Sequence, residues 1–229
     1  MSTAPTCPRC VGEIKPPGLW SSSWQCEVHG DVLPFHTLPV ASEAGLAHLV
    51  EVSRVPVWMP RPLPFGWVVS GLGWAGDERT GPRATAISLS GPDPLGGPGD
   101  VVLVAEEPGV GLGARLGGLE QTDPTCSEAT PDAKVVAAHH LTALWTQSGP
   151  ADRVAYAGEA KGVWLEMIFW PDRSSLLLLE HLVLADLREG LYADIDLVFG
   201  ATSPRLLAGG RVPADATASP VELRARRSR

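Results

Sequence analysis

From residue 66 onward, short apolar runs alternate with Gly/Pro-rich turns: WVVSGLGW, RATAISLS, DVVLVAEE, AKVVAAHH, TALWTQS, RVAYAGEA and GVWLEMIFW. Runs of this length, rich in β-branched and aromatic residues, predict strands, and their close spacing predicts antiparallel neighbours. Residues 157–162 read as a hairpin turn, and Pro171-Asp172 closes its second arm before the LLLLE run of residues 176–180. YADIDLVFG is expected to be a last strand.

Helical spacing is less common. Ser42 is placed to cap a helix reaching about residue 54, with Leu46, Leu49 and Val50 on one face and Pro56 barring continuation. Further helices are expected near residues 111–119 and 180–189. Glycines weaken the first by about 1 kcal/mol each relative to Ala. Between these regions VPVWMPRPLPFGW carries four prolines and predicts an extended strap, with Val57, Trp58, Leu63 and Phe65 against a neighbouring surface. A polyproline ligand for a partner is the other reading of that stretch.

The first 38 residues differ in kind, with short strand-like stretches at 12–15, 19–25 and 31–36. The fold class expected is α+β: a small zinc-ribbon-like β module (1–38), a connector helix and Pro-rich strap (39–65), and a mainly antiparallel β-sheet domain with one to three helices (66–208). The Pro/Ala/Ser/Arg mixture of residues 209–229 predicts a disordered tail.

Composition sharpens this picture. A chain of 229 residues with 44% hydrophobic content can bury an ordinary core. Its net charge of −8 sets up a field that repels phosphate backbones and anionic membranes, so nucleic acid is disfavoured as a partner. No apolar stretch approaches the ~18 residues of a membrane span, and MSTAPTCPRC lacks the layout of a secretory signal. A cytoplasmic location is therefore expected, and three of the four cysteines lie within the first 26 residues. In a reducing compartment that clustering fits a metal site better than a disulfide framework.

The motif carrying most chemistry is CPRC…CEVH. Cys7 and Cys10, then Cys26 and His29, are paired at x2 spacing, each pair followed closely by a glycine, Gly12 or Gly30, and joined by fifteen residues. Thiolates and a neutral imidazole in two tight turns suit tetrahedral zinc. With four ligands supplied, the site is closed, and Zn2+ is expected to be structural; a disulfide or three unrelated thiols is the alternative. His36 is a less well spaced substitute ligand. Trp20 and Trp24 lie between the turns and either pack the module onto the larger domain or face a partner. Trp145, Trp164 and Trp170 would line a groove if they share a face, the alternative being sheet-face packing.

Motifs for catalysis are sparse. The GxGxxG string from Gly71 leads into another strand rather than a helix, so it does not read as a dinucleotide fingerprint. Gly109, Gly111 and Gly113 do precede a possible helix and are weak anion-loop candidates, though Glu106 and Glu107 stand beside them. Cys126 has no evident base, His139 and His140 point to opposite faces if they lie on one strand, and Glu159, Glu166 and Asp172 are loose carboxylate-pair candidates.

Taken with CPRC…WQCEVHG, the strings VPVWMPRPLPFGW, LVAEEPGVGLGARLGGL, YAGEAKGVWLEMIFWP and SPRLL resemble an actinobacterial family of uncharacterised proteins, over nearly the whole chain as far as about residue 208. Some members carry a phosphotransacetylase label, which implies an acyl phosphate or coenzyme A ester as ligand. More loosely, the order of elements is similar to small α+β sandwich domains of bacterial lipoproteins and cell-surface proteins, a likeness of shape that carries no function. The expectation is a non-catalytic, zinc-containing binding or regulatory adaptor with a protein partner. Its rivals are an enzyme or sensor for a small anionic metabolite and a nucleic-acid-binding zinc ribbon.

Overall fold

The computed structural model describes residues 4–19, 21–126, 130–180, 182–190 and 197–207. Strands β1 (Ile14–Lys15), β2 (Trp24–Cys26) and β3 (Gly30–Val32) form a small antiparallel sheet. A second sheet holds the other ten described strands. Its spatial order is β4 (Phe35–Thr37), β6 (Val68–Asp77), β7 (Gly81–Pro92), β8 (Pro98–Glu106), β12 (Val163–Trp170), β11 (Val154–Ala160), β10 (His140–Gln147), β9 (Ala133–Ala137), β13 (Val183–Asp186) and β5 (Trp58–Pro60). Within that order only β9 and β13 pair in parallel. Mostly strand with few helices, the chain agrees with the α+β expectation.

Local chemistry explains the main hairpin. Lys161 (φ 57°) and Gly162 (φ 77°) both take the left-handed conformation that a two-residue turn between right-twisted strands requires. The long β7 and β8 arms then pair over their whole length, and β12 joins β8 along its other edge.

Because side chains alternate across a strand, each strand in the middle of the sheet feeds two cores. On one face Leu72, Ile87, Leu103, Met167 and Phe169 pack with Trp58 and Met59 of β5 and Leu184 of β13. Strands from the far end of the sheet thus curl back over its middle. Thr85 Oγ1 of β7 donates to Pro56 O at 2.6 Å across that fold. On the other face Val102, Val104, Ile168 and Trp170 are covered by Leu112 and Leu116 of α2 (Leu112–Gly117) and Leu206 of α3 (Pro204–Leu207).

Helix α1 (Glu43–Val52) forms where the capping pattern places it, with Leu46 and Leu49 buried and Ser42 Oγ accepting from Gly45 N at 3.2 Å. Ser42→Ala is expected to cost about 1 kcal/mol in denaturant unfolding, and Ser42→Gly only a few tenths.

Other expectations change. Residues 183–186 are strand β13 rather than helix, and a single 3-10 turn, Leu187–Glu189, follows. Pairing on both sides, with β9 and β5, outweighs local helix preference there. The fully buried Asp186 completes the junction: its carboxylate accepts from Val57 N at 3.2 Å and pairs with Lys161 and Arg188. The LLLLE run lies in a longer 3-10 stretch, Asp172–Glu180. Val57 and Trp58 of the strap are buried and Leu63 half-buried, but Phe65 is 99% exposed beside the Gly66 turn. Residues 35–37, grouped with the small module by sequence, form the edge strand of the large sheet against β6. Most of the expected last strand and the tail from 209 lie outside the described residues; Phe199 makes a parallel bridge to Val69.

Candidate metal centre

Two tight turns build the site. In the first, Cys7 N donates to Gly12 O at 2.9 Å, Val11 N to Cys7 O at 3.0 Å, and Arg9 N toward Cys7 Sγ at 3.4 Å. Val11 (φ 65°) takes the left-handed conformation that lets the chain turn so tightly. In the second, Gly30 (φ 66°) reverses the chain directly into β3, where Gly30 pairs with Cys26.

The turns face each other. Cys7 Sγ and Cys26 Sγ each lie 3.6 Å from His29 Nδ1, and Cys10 Sγ lies 3.7 Å from Cys26 Sγ. All four donor atoms fall within 4.8 Å of one another, close enough to hold a metal ion. Burial pushes the Cys7 thiol up to about 12. At Cys26 burial also works against the thiolate, but N–H groups of Val28 and His29 and the His29 and Cys7 side chains outweigh it and bring it to about 6. The turns are therefore shaped to favour a thiolate at Cys26. His36 stands apart on β4, its ring stacked on Trp74 with centroids 5.3 Å apart.

The module is fastened to the large sheet through the first turn. Thr6 and Phe35 exchange backbone hydrogen bonds at 3.0 and 2.8 Å. The Arg9 guanidinium donates to Val110 O at 3.2 Å and to Gly109 O, both in the glycine-rich loop before α2. Gly111 lies against the Arg9 side chain: a Cβ there would meet Arg9 Cγ at 3.1 Å.

That loop has its own anions. Glu106, the last residue of β8, accepts from Leu112 N at 2.7 Å and Gly113 N at 3.4 Å, and Asp123 Oδ1 accepts from Gly109 N at 2.7 Å. The amides that would cradle a foreign anion at Gly109 and Gly113 are thus engaged by the chain's own carboxylates. Beneath α2 lies Glu166 of β12, on the same sheet face as Glu106 because it stands opposite Val104. Gly113 lies directly over the Glu166 carboxyl group, which a Cβ there would displace. Both Glu166 oxygens are buried without a hydrogen-bond partner. Burial raises the Glu106 carboxyl to about 8 against the pull of the Leu112 and Gly113 amides, and burial with the fields of Glu106 and Asp123 holds Glu166 well above the carboxylate range.

Arg115, also on α2, is buried as well. Its guanidinium carbon lies 4.5 Å from the centroid of the Phe35 ring, and its three side-chain nitrogens lack hydrogen-bond partners. Burial lowers it to about 10, opposed by the fields of Cys7, Cys10 and Glu106.

Ladder register puts Trp145, Trp164 and Trp170 on one sheet face. Trp170 is 1% exposed, beneath Arg153 and Arg205, and so contributes to a core rather than an open groove. Trp164 Nε1 donates to Asp123 Oδ1 at 3.3 Å. Trp145, with Asp123 and Gln147, borders an open groove of about 780 Å³. Trp24 is half-buried in β2, and Trp20 lies outside the described residues. Glu159 is opposite Trp164 on the neighbouring strand, Asp172 begins the 3-10 stretch after β12, and Cys126 is exposed.

Sequence reasoning grouped Cys7, Cys10, Cys26 and His29, which lie close enough to hold a metal ion, and missed Arg9, Arg115 and the Glu106–Glu166 pair. A charged residue set within an apolar run was the available signal: VVLVAEE for Glu106 and VWLEMIFW for Glu166. Together these features define an α+β protein bearing an N-terminal Cys3His cluster able to hold a metal. The chain belongs to the family described as "Family of unknown function (DUF6758)", whose family model matches residues 1–206. No curated protein and no solved structure matches it. No helix among the described residues is long and apolar enough to cross a membrane.

Proposed function

We propose that this chain is a zinc-containing binding or regulatory adaptor in which the metal is structural. The observation that carries the reading is the donor spacing. Zinc bonds of about 2.3 Å to sulfur and about 2.0 Å to nitrogen give tetrahedral edges of roughly 3.5–3.8 Å. The separations Cys7–His29 and Cys26–His29, both 3.6 Å, and Cys10–Cys26, 3.7 Å, match three of those six edges, and all four donor atoms lie within 4.8 Å of one another. Three thiolates with one imidazole favour zinc over hard, oxygen-seeking cations. When bound, zinc supplies a closed crosslink between two turns, since a catalytic centre keeps a position open for water.

The rival, an enzyme or sensor for an acyl phosphate or coenzyme A ester, needs free amides in the glycine loop, and Glu106 and Asp123 already engage those of Leu112, Gly113 and Gly109. Nucleic-acid binding is disfavoured by the net charge of −8. A reducing, cytoplasmic setting belongs to the same reading, since the ligand thiols must stay reduced. So does a protein partner: Leu19 and Val28 of the module are 98% and 78% exposed, the apolar side chains such a contact uses.

Native mass spectrometry of protein purified without added metal tests the reading. One zinc per chain and no other bound mass is the expected result. Absence of stoichiometric zinc removes the proposal, and a retained acyl- or nucleotide-sized mass replaces it with the small-anion reading.

A further inference from the structure

We propose that Arg115 is the positioning residue of the metal centre, its buried guanidinium neutralising the charge of the zinc-loaded clip and coupling metal occupancy to the seating of the module on α2. This rests on the reading that the clip holds zinc.

The Arg115 side chain makes no hydrogen bond among the described residues. Its nitrogens are buried and find no hydrogen-bond acceptor, and its guanidinium carbon lies 4.5 Å from the centroid of the Phe35 ring. A buried cation is retained when an anion compensates it. Its route to the clip is through Phe35, whose ring lies under the guanidinium and whose backbone exchanges hydrogen bonds with Thr6, next to Cys7.

Loading supplies the anion. When zinc binds, three S–Zn bonds form, the protons still held by the thiols pass to solvent, and the imidazole coordinates as the neutral ring. A divalent ion with three thiolates and a neutral imidazole carries one net negative charge. Placed in the partly apolar seam between module and sheet, that charge needs a nearby cation.

Arg9, the other arginine at the seam, is committed through its side chain to Gly109 O and Val110 O. Lys15, the module's remaining cation, pairs with Glu27 on the exposed side. Arg115 is left to meet the centre. Phe35, whose ring carries the guanidinium, is bonded through its backbone to Thr6, the residue before the first ligand. Guanidinium, ring and ligand turn therefore form one contiguous unit.

The experiment compares zinc affinity, by competition with a chromophoric chelator, in full-length wild type, Arg115→Met, Arg115→Gln and Arg115→Lys. Thermal unfolding of each is followed with and without zinc. Removing the charge is expected to weaken zinc binding about ten- to a hundredfold, the range seen when a residue supporting metal ligands is lost. Arg115→Lys should keep most of the affinity. Metal-free Arg115→Met should be at least as stable as metal-free wild type, because an uncompensated buried cation has gone.

A packing role alone would lower metal-free and zinc-loaded stability equally and leave affinity unchanged, which overturns the inference. If Arg115→Met fails to fold, the Gln and Lys variants carry the same comparison, and equal affinities there overturn it too. Wild type that binds no zinc removes the proposed function and this inference together. Wild type that binds zinc with the same affinity as every variant removes the inference alone.

Discussion

Cys26→Ser should abolish metal retention and unfold the N-terminal module while the ten-stranded sheet survives. Cys26 carries two of the short ligand distances and lies on β2, the middle strand of the small sheet. That sheet has no core to fall back on. Its strands are two or three residues long, and Leu19, Val28 and Val11 point substantially into solvent. Its fully or nearly buried apolar residues include the ligands Cys7 and Cys26 themselves. Structural zinc contributes apparent free energies of about 10–16 kcal/mol in modules of this size, more than a few exposed hydrogen bonds replace.

Hydrogen exchange read by mass spectrometry should show residues 4–32 losing protection in Cys26→Ser, and in wild type treated with a strong chelator. Strands β7, β8 and β12, buried on both faces, should keep theirs. Unchanged protection of the module after metal removal would sink the structural role of the metal.

How much of this was legible in the sequence follows from the range of each interaction. The two turns are local, each an x2 spacing followed closely by a glycine, so Cys7, Cys10, Cys26 and His29 could be grouped as candidate metal-holding residues from the sequence alone. The hairpin through Lys161-Gly162 and the Ser42-capped helix were local for the same reason. What could not be read depends on partners distant in sequence. Residues 180–189 show an apolar pattern compatible with a helix, and only pairing with β9 and β5 makes part of them a strand. Phe35 pairs with β6 and supports Arg115, though nothing in its neighbourhood announces either. Glu166 was set beside Glu159 and Asp172 because they are near in sequence. Its true neighbour Glu106 is sixty residues away and reaches it only because β8 and β12 lie side by side.

That pair yields the second large expected effect: stability should fall as pH rises from the ordinary carboxylate range, about 4.5, toward 8. Glu106 and Glu166 are both fully buried, and both are displaced upward chiefly by that burial. The charged groups facing them are Asp123 from the loop after α2, which opposes ionisation further, and Arg115 from α2, which interacts favourably with Glu106. A carboxyl whose folded value is raised contributes fully below its unfolded value and loses that contribution as pH climbs through the folded one. For a single group the slope reaches about 1.4 kcal/mol per pH unit within that window. The two members are not equivalent. Glu106 accepts from the first amides of α2, which favours its ionised form, whereas Glu166 has no donor and is the better site for the proton. Glu166→Gln keeps the shape beneath Gly113 and removes a carboxyl that is held neutral in the folded chain but ionises in the unfolded one, so the pH dependence that Glu166 contributes is lost. At pH 8 the variant should be more stable than wild type, with a flattened pH profile, and near pH 5 the two should differ less. Urea unfolding across pH 5–8 reads both quantities, and an unchanged slope in Glu166→Gln would show that Glu166 does not hold the shared proton.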